Sequence, residues 1–207
     1  MTLAQRERQA LAATMAETGP DAPTLCGDWT VRDLAAHLVI RERRPDTGPG
    51  ILIKQLAGYT ERVRRKVARE EFAHLLDQIR SGPPVWSPLR PVDTFANTTE
   101  MFVHHEDVRR GRPGWEPRRL DDRDEATLWS AVRRMGRMAY RSAPVTVVLA
   151  TPDGRREVVH KGGDSTVTIT AKPSELLLHA FGRDEVRIEA TGEPHAVQAV
   201  LGLDRSI

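Results

Sequence analysis

The sequence predicts an α+β protein in which a helical bundle is followed by a small mixed domain. Up to residue 143, apolar residues recur with a helical period, whereas the later part has short β-branched segments of period two separated by turns. The 207 residues are enough for one large or two small domains, and 39% hydrophobic with 29% charged residues is typical of a folded chain. We therefore expect a helical domain at residues 1–143 and an α+β domain at residues 144–207.

Helical segments account for most of the first part. Gly19-Pro20 ends the first helix, and Thr30 with Asp33 resembles a capping box that begins the second. The third pattern is long, and an interruption near Arg69 can divide it. The predicted segments are residues 3–17, Thr30 to about Arg43, residues 52–79, residues 94–110 with Asp93 as the cap, and a helix from Asp121 or Asp122 to an end marked by Pro144.

The second part alternates strands and short helices. Pro152-Asp153-Gly154 is a turn signal, so the strands on either side of it are expected to form a hairpin. Helices are predicted at residues 176–181 and 196–203, and strands at residues 145–149, 156–160, 166–170 and 186–190.

Charge and cysteine content exclude several classes of protein. The formal net charge is only +2, and we interpret the basic run between Arg62 and Arg69 as a solvated helix face, so we expect no nucleic-acid partner. Cys26 is the single cysteine, which excludes an intrachain disulfide and a zinc site built from several thiolates. Because we find neither a signal peptide nor a membrane-spanning stretch, we expect a cytoplasmic protein without a membrane partner.

Three side chains with metal-binding chemistry share one face of the helix predicted at residues 94–110. Glu100, His104 and Asp107 stand at i, i+4 and i+7, which at about 100° per residue places them within an arc of about 60°. His105 points about 140° away from Glu100, so His104 is the better candidate ligand. A glutamate and a histidine one turn apart can supply two ligands of a divalent-metal site, and a solvated surface pair is the alternative for this spacing.

His37 is the best third ligand. It lies at the edge of the apolar face of the second helix, from which a bundle directs it toward neighbouring helices. A hydrogen-bonded histidine without a metal remains the alternative. Two histidines and one glutamate on a tetrahedral ion such as zinc leave one position open, which is the catalytic rather than the structural arrangement.

Two motifs make the chain resemble a known family. Residues 27–38 read GDWTVRDLAAHL, and Glu100-x-x-x-His104-x-x-Asp107 follows later in the chain. Together they resemble the mycothiol-dependent maleylpyruvate isomerase family of the DinB-like metalloprotein superfamily, with an actinobacterial metal-binding branch as the nearest likeness. The resemblance implies a DinB-like four-helix bundle that binds zinc, or another divalent metal, through His37, Glu100 and His104.

The same resemblance implies a chemistry and a second site. Enzymes of the family use a metal-bound thiol, so mycothiol is the expected cofactor and a small electrophilic molecule the expected substrate of a thiol transferase or isomerase. Residues 174–183, SELLLHAFGR, are similar to the end of the family's second domain, and Arg183 matches an arginine that binds substrate carboxylates there. A helix C-terminal arginine is the alternative for Arg183, and a non-catalytic metal-binding sensor or interaction protein is the alternative function.

Two further residues remain open in role. Asp107 either orients a metal ligand or holds Arg32 or another arginine behind the ligands, and an ordinary salt bridge is the alternative. Cys26 either approaches the metal or, as we favour, is a small buried residue beside Trp29, which itself packs under the start of the second helix.

Overall fold

The computed structural model describes residues 1–48, 54–87 and 96–205, and within these ranges it has eight α-helices and one four-stranded sheet. The predicted α+β class is therefore confirmed. The chain divides into two compact units, Met1–Trp115 and Glu116–Ile207. This division falls before the helix that ends near residue 140, whereas the sequence placed the boundary after it, at residue 143. An amphipathic pattern shows that a helix covers a core, but not which of two cores it covers.

The helices of the first unit follow the predicted order. The long third pattern is two helices separated by residues 68–71, so the interruption near Arg69 is confirmed. The predicted helix starts at residues 52 and 94, and the cap Asp93, lie outside the described residues. The helices are α1 (Leu3–Thr18), α2 (Val31–Arg43), α3 (Lys54–Val67), α4 (Phe72–Ser81) and α5 (Ala96–Arg110).

A capping box begins α2, as the sequence predicts. The Thr30 hydroxyl accepts a hydrogen bond from the Asp33 backbone N–H, and the Asp33 carboxylate accepts one from the backbone N–H of Thr30. Asp33 also forms an ion pair with Arg64 of α3. The start of α2 is thus fixed by three polar contacts, which sets the direction in which His37, two turns later, points.

The core of the first unit lies between two helix pairs. Helix α1 packs against α5 and α4, and α2 packs against α3 and α4. The interior residues are aliphatic or Met and are essentially inaccessible to solvent: Leu11, Met15, Leu34, Leu38, Leu75, Ile79 and Met101.

The second unit is a twisted sheet with helices. Strands β1 and β2 form the predicted antiparallel hairpin, whose turn contains Gly154 at φ 91°. Strand β1 also pairs in parallel with β3, and β3 pairs antiparallel with β4, giving the order β2-β1-β3-β4. The elements are α6 (Asp122–Ala139), β1 (Thr146–Ala150), β2 (Arg156–His160), β3 (Thr166–Thr170), α7 (Pro173–Ala180), β4 (Glu189–Thr191) and α8 (Pro194–Leu201).

Helix α6 belongs to the second unit because it approaches the sheet closely. It packs against α7 and β2. A Cβ added at Gly136 would lie 2.8 Å from Cγ1 of Val159 and 3.0 Å from Cδ1 of Leu149, so only glycine permits this approach without a shift. In the described part of the chain, no helix is long and apolar enough to cross a membrane.

Candidate metal centre

Helices α2 and α5 bring the three predicted metal ligands together. Nε2 of His37 lies 3.4 Å, and Nε2 of His104 lies 3.3 Å, from the same oxygen, Oε1 of Glu100. The two imidazole rings meet edge to face with their centroids 5.5 Å apart. One ligand atom from each of the three residues lies within 4.8 Å of the others, a spacing that fits donors around a single ion.

The cluster is half-buried rather than sealed. Side-chain exposure is 17% for His37, 13% for His104 and 23% for Glu100. All three side chains therefore retain a small part of their surface in contact with solvent.

The two histidines of the cluster differ in the direction of their pKa shifts. Burial lowers the pKa of His37 below its usual value, against the opposing effect of its hydrogen bond to Glu100. Burial also acts to lower the pKa of His104, but hydrogen bonds with Asp107, Cys26 and Glu100 outweigh it and raise that pKa well above its usual value. These opposite pKa shifts favour a proton on His104 over one on His37.

Glu100 is the anion on which these contacts converge. Burial alone would raise its pKa, but the hydrogen bonds from His104 and His37 hold that pKa well below its usual range. A bound divalent cation would supply the positive charge that stabilises the Glu100 carboxylate. Glu100 and the two histidines would be its oxygen and nitrogen ligands.

Asp107 contacts the opposite edge of the His104 ring. Its Oδ2 lies 2.9 Å from Nδ1 of His104, and its side chain is 0% exposed. An Nδ1–H donated to this carboxylate leaves Nε2 facing Glu100, which is the arrangement that orients a ligating histidine. Arg32, an arginine considered as a partner of Asp107, instead donates to the carbonyl oxygens of Ala68 and Glu70.

Cys26 lies beside the same pair. Its Sγ is 3.0 Å from Oδ2 of Asp107 and 3.7 Å from Nδ1 of His104. Cys26 also packs at the margin of the hydrophobic core, as does Trp29. Cys26 is thus partly rather than fully buried, and its thiol contacts one of the predicted ligand residues.

Trp29 forms a wall of the centre as well as part of the core. Its ring centroid is 5.2 Å from that of His37. The guanidinium of Arg64 lies 4.7 Å from the Trp29 ring centroid, in cation–π contact, and is buried. Arg64, one of the basic residues interpreted as a solvated face, instead packs inside the first unit.

Arg41 is a site residue that the sequence reasoning missed. Its Nε lies 3.2 Å from Oε1 of Glu100, and its Nη1 donates to Oδ1 of Asn97 at 2.7 Å. Arg41 follows His37 by four residues, so it lies on the same face of α2. The helical period, which places Glu100 and His104 on one face of α5, likewise predicts that Arg41 and His37 share a face of α2.

The structure separates His105 from the centre. Its Nδ1 lies 2.8 Å from Oε2 of Glu7, and its Nε2 lies 3.0 Å from the Thr14 hydroxyl, both on α1. His105 is only 3% exposed. It therefore faces the interior between α1 and α5, as the helical spacing indicates.

Arg183 lies in the second unit after α7. Its Nη1 donates to the carbonyl oxygen of Phe181 at 2.6 Å, and the side chain is half-buried. This local contact describes how the arginine is anchored within its own unit.

Comparisons with known proteins agree with the resemblance seen in the motifs. Residues 2–45 match the family described as "Mycothiol maleylpyruvate isomerase N-terminal domain". A solved structure described as "Crystal structure of the mycothiol-dependent maleylpyruvate isomerase" shares the fold, with a TM-score of 0.58 and 13% identity over 91% of this chain and 90% of that chain. No curated protein sequence gives a significant match. The resemblance is thus confirmed in the N-terminal segment by sequence and over most of the chain by fold.

Proposed function

We propose that this protein binds a divalent metal, zinc in the first instance, and uses it with a small-molecule thiol in transferase or isomerase chemistry on a small electrophilic substrate. The observation that carries the proposal is the convergence of His37 and His104 on one oxygen of Glu100. The N-terminal match and the similar fold support mycothiol as the thiol.

The donor set fits a borderline divalent ion. Imidazole nitrogen and carboxylate oxygen are ligands that zinc accepts, and three protein donors leave a position for a further ligand. His37, Glu100 and His104 would hold the ion, and Asp107 would keep His104 in the tautomer whose Nε2 is free to bind. Bound zinc would lower the pKa of a coordinated thiol, so that the thiolate is present at neutral pH.

The chain itself supplies no thiol for such chemistry other than that of Cys26. Cys26 is its single cysteine, and the Cys26 thiol faces Asp107 and Nδ1 of His104 rather than the Nε2 side on which Glu100 lies. The reacting sulfur would therefore come from a bound thiol. Arg183 is the proposed binding residue for a substrate carboxylate, a role suited to a planar bidentate donor.

A second candidate function is a non-catalytic metal-binding sensor or interaction protein. The convergence of His37, Glu100 and His104 supports it equally, because these three residues would hold an ion whether or not a reaction follows. The two functions share the first three ligands and differ in whether a thiol or substrate can occupy the next position.

Metal analysis of the purified protein tests the metal site. We expect about one zinc per chain in the wild type and loss of the metal in His37→Ala and His104→Ala, with His105→Ala as the matched control that retains it. Full retention in both ligand variants would contradict the site.

Calorimetric titration with mycothiol then separates the two functions. The zinc-loaded wild type is expected to bind the thiol, and the metal-free protein to bind it far more weakly. Metal binding without any thiol binding would favour the sensor or interaction protein.

A further inference from the structure

A second group of metal-ligating side chains lies behind the first. Sγ of Cys26, Nδ1 of His104 and Oδ2 of Asp107 lie within 4.8 Å of one another. The separations are 3.7 Å from sulfur to nitrogen, 3.0 Å from sulfur to oxygen and 2.9 Å from nitrogen to oxygen. Thiolate sulfur, imidazole nitrogen and carboxylate oxygen all bind metals of the zinc group. The sulfur makes this set of ligands softer than the set formed by His37, Glu100 and Nε2 of His104.

The segment that carries Cys26 is held in place against α5. The Leu25 backbone N–H donates to the Asp107 carbonyl at 3.1 Å, and the Cys26 N–H donates to the Thr24 hydroxyl at 3.1 Å. At the end of α5, a Cβ added at Gly111 would lie 2.3 Å from the carbonyl oxygen of Pro23. The backbone on both sides of the sulfur is therefore fixed, and the thiol is positioned beside the His104 ring by more than its own contacts.

We propose that Cys26, Asp107 and Nδ1 of His104 form a second site that takes a thiophilic metal ion of the Cd²⁺ class. Binding releases the thiol proton of Cys26 and the Nδ1 proton of His104 to solvent, and forms bonds to the ion from the thiolate and from Nδ1, with no change in oxidation state. Asp107, whose carboxylate is fully buried, supplies the charge that keeps a cation favourable at this depth. This inference goes beyond the proposed function, although both sites include His104.

The shared imidazole makes the two sites mutually exclusive. A neutral imidazole has one unprotonated nitrogen. An ion on Nδ1 leaves an N–H at Nε2, which faces Oε1 of Glu100 at 3.3 Å, whereas an ion on Nε2 leaves an N–H at Nδ1, which faces Oδ2 of Asp107 at 2.9 Å. Each state thus gives the remaining ring N–H a carboxylate acceptor. The chain should bind one ion at a time, on the sulfur side for a soft metal and on the Glu100 side for a borderline one.

Cadmium titration of the full-length protein tests the second site. The wild type is expected to bind one Cd²⁺ per chain and to develop an ultraviolet thiolate-to-cadmium charge-transfer band, which reports Cys26 alone because the chain has no other cysteine. Cys26→Ser should lose the band. His37→Ala, which removes a ligand only from the first site, should keep it with similar intensity.

The outcomes distinguish this site from the proposed function. Absence of the band in the wild type, or its loss in His37→Ala, would overturn the second site, whether or not the protein binds zinc at the first site. Loss of zinc in His37→Ala with the cadmium band retained would support both sites. If Cys26→Ser does not fold, alkylation of Cys26 in the wild type and in His37→Ala replaces it: Cd²⁺ should slow the reaction at least tenfold in both, and an unchanged rate would overturn the proposal.

Discussion

Nδ1 of His105 lies 2.8 Å from the Glu7 carboxylate, in the interior between α5 and α1. The adjacent residue, His104, contacts Glu100 and Asp107 in the candidate metal centre. An Nδ1–H donated to Glu7 leaves Nε2 to accept the proton of the Thr14 hydroxyl, 3.0 Å away. Two neighbouring histidines thus make different contacts because about 100° of helix rotation separates them.

Replacing His105 should reduce stability without removing the metal. His105→Ala leaves the Glu7 carboxylate, which is 4% exposed, without this partner, and we expect a loss of about 1–3 kcal/mol in the free energy of unfolding. Urea denaturation and metal analysis of the same preparation measure both effects. Metal loss from folded His105→Ala would mean that the assignment of the two histidines is wrong.

Arg41 should weaken metal binding. Its guanidinium lies 3.2 Å from Oε1 of Glu100, so it competes with an incoming cation for this oxygen and repels it. The ion pair between Arg41 and Glu100 is partly exposed, and such a pair contributes at most about 1 kcal/mol. Removing this competition in Arg41→Gln should therefore tighten zinc binding about fivefold. Competition with a chromophoric chelator measures the Kd.

Arg44→Gln is the matched control for Arg41. Arg44 lies near the same end of α2 but pairs with Asp46, on the exposed surface. The control should leave the zinc Kd unchanged. Weaker binding by Arg41→Gln would instead show that the arginine holds Glu100 in position.

Gly111 should resist substitution because of a close backbone approach. A Cβ there would lie 2.3 Å from the carbonyl oxygen of Pro23 and 2.9 Å from Cα of Thr24. Overpacking against backbone typically costs about 1–3 kcal/mol, so Gly111→Ala should lower the melting temperature. Gly58→Ala in α3 is the control: with nothing within 4 Å of the added Cβ, it should stabilise the helix by up to about 1 kcal/mol. Equal melting temperatures for the two variants would contradict the close approach.

A buried histidine in the second unit should make stability depend on pH. His179 accepts a hydrogen bond at Nδ1 from the Tyr140 hydroxyl, 2.5 Å away, and Arg205 donates to its carbonyl oxygen at 3.0 Å. Burial, with a contribution from the charge of Arg205, lowers the pKa of His179 from 6.5 to about 3. The folded protein therefore keeps this imidazole neutral over a range in which the unfolded chain binds a proton.

The sign of the effect follows from proton binding. Between pH 6.5 and about 3 the unfolded state binds more protons at His179, so the free energy of unfolding falls as the pH falls. Near pH 4.5 this amounts to roughly 2–3 kcal/mol. Urea denaturation from pH 7 to 4.5 should show a steeper loss in the wild type than in His179→Asn, which retains a polar side chain but does not titrate. Identical slopes would exclude the contribution of His179.

The candidate centre was predictable to the extent that it lies on helix faces. Glu100, His104 and Asp107 follow from the helical period, and the opposite direction of His105 follows from the same arithmetic. Arg41 follows from the helical period too, since it lies one turn after His37 on the same face of α2. The helical period could not predict the position of Cys26, because this residue lies in a non-helical segment. The path of that segment depends on its contacts with the end of α5.

The sequence alone determines the features that depend on neighbouring residues, because propensity, turn chemistry and the helical period act within a few residues. These features are the order of the helices, the α+β class, the hairpin at Gly154 and the shared face of Glu100 and His104. The tertiary structure decided that α6 packs with the sheet, that Arg41 contacts Glu100, and that the Cys26 sulfur lies beside His104. These depend on contacts between residues distant in sequence, and the pattern of apolar residues in one segment does not specify which other segment covers it.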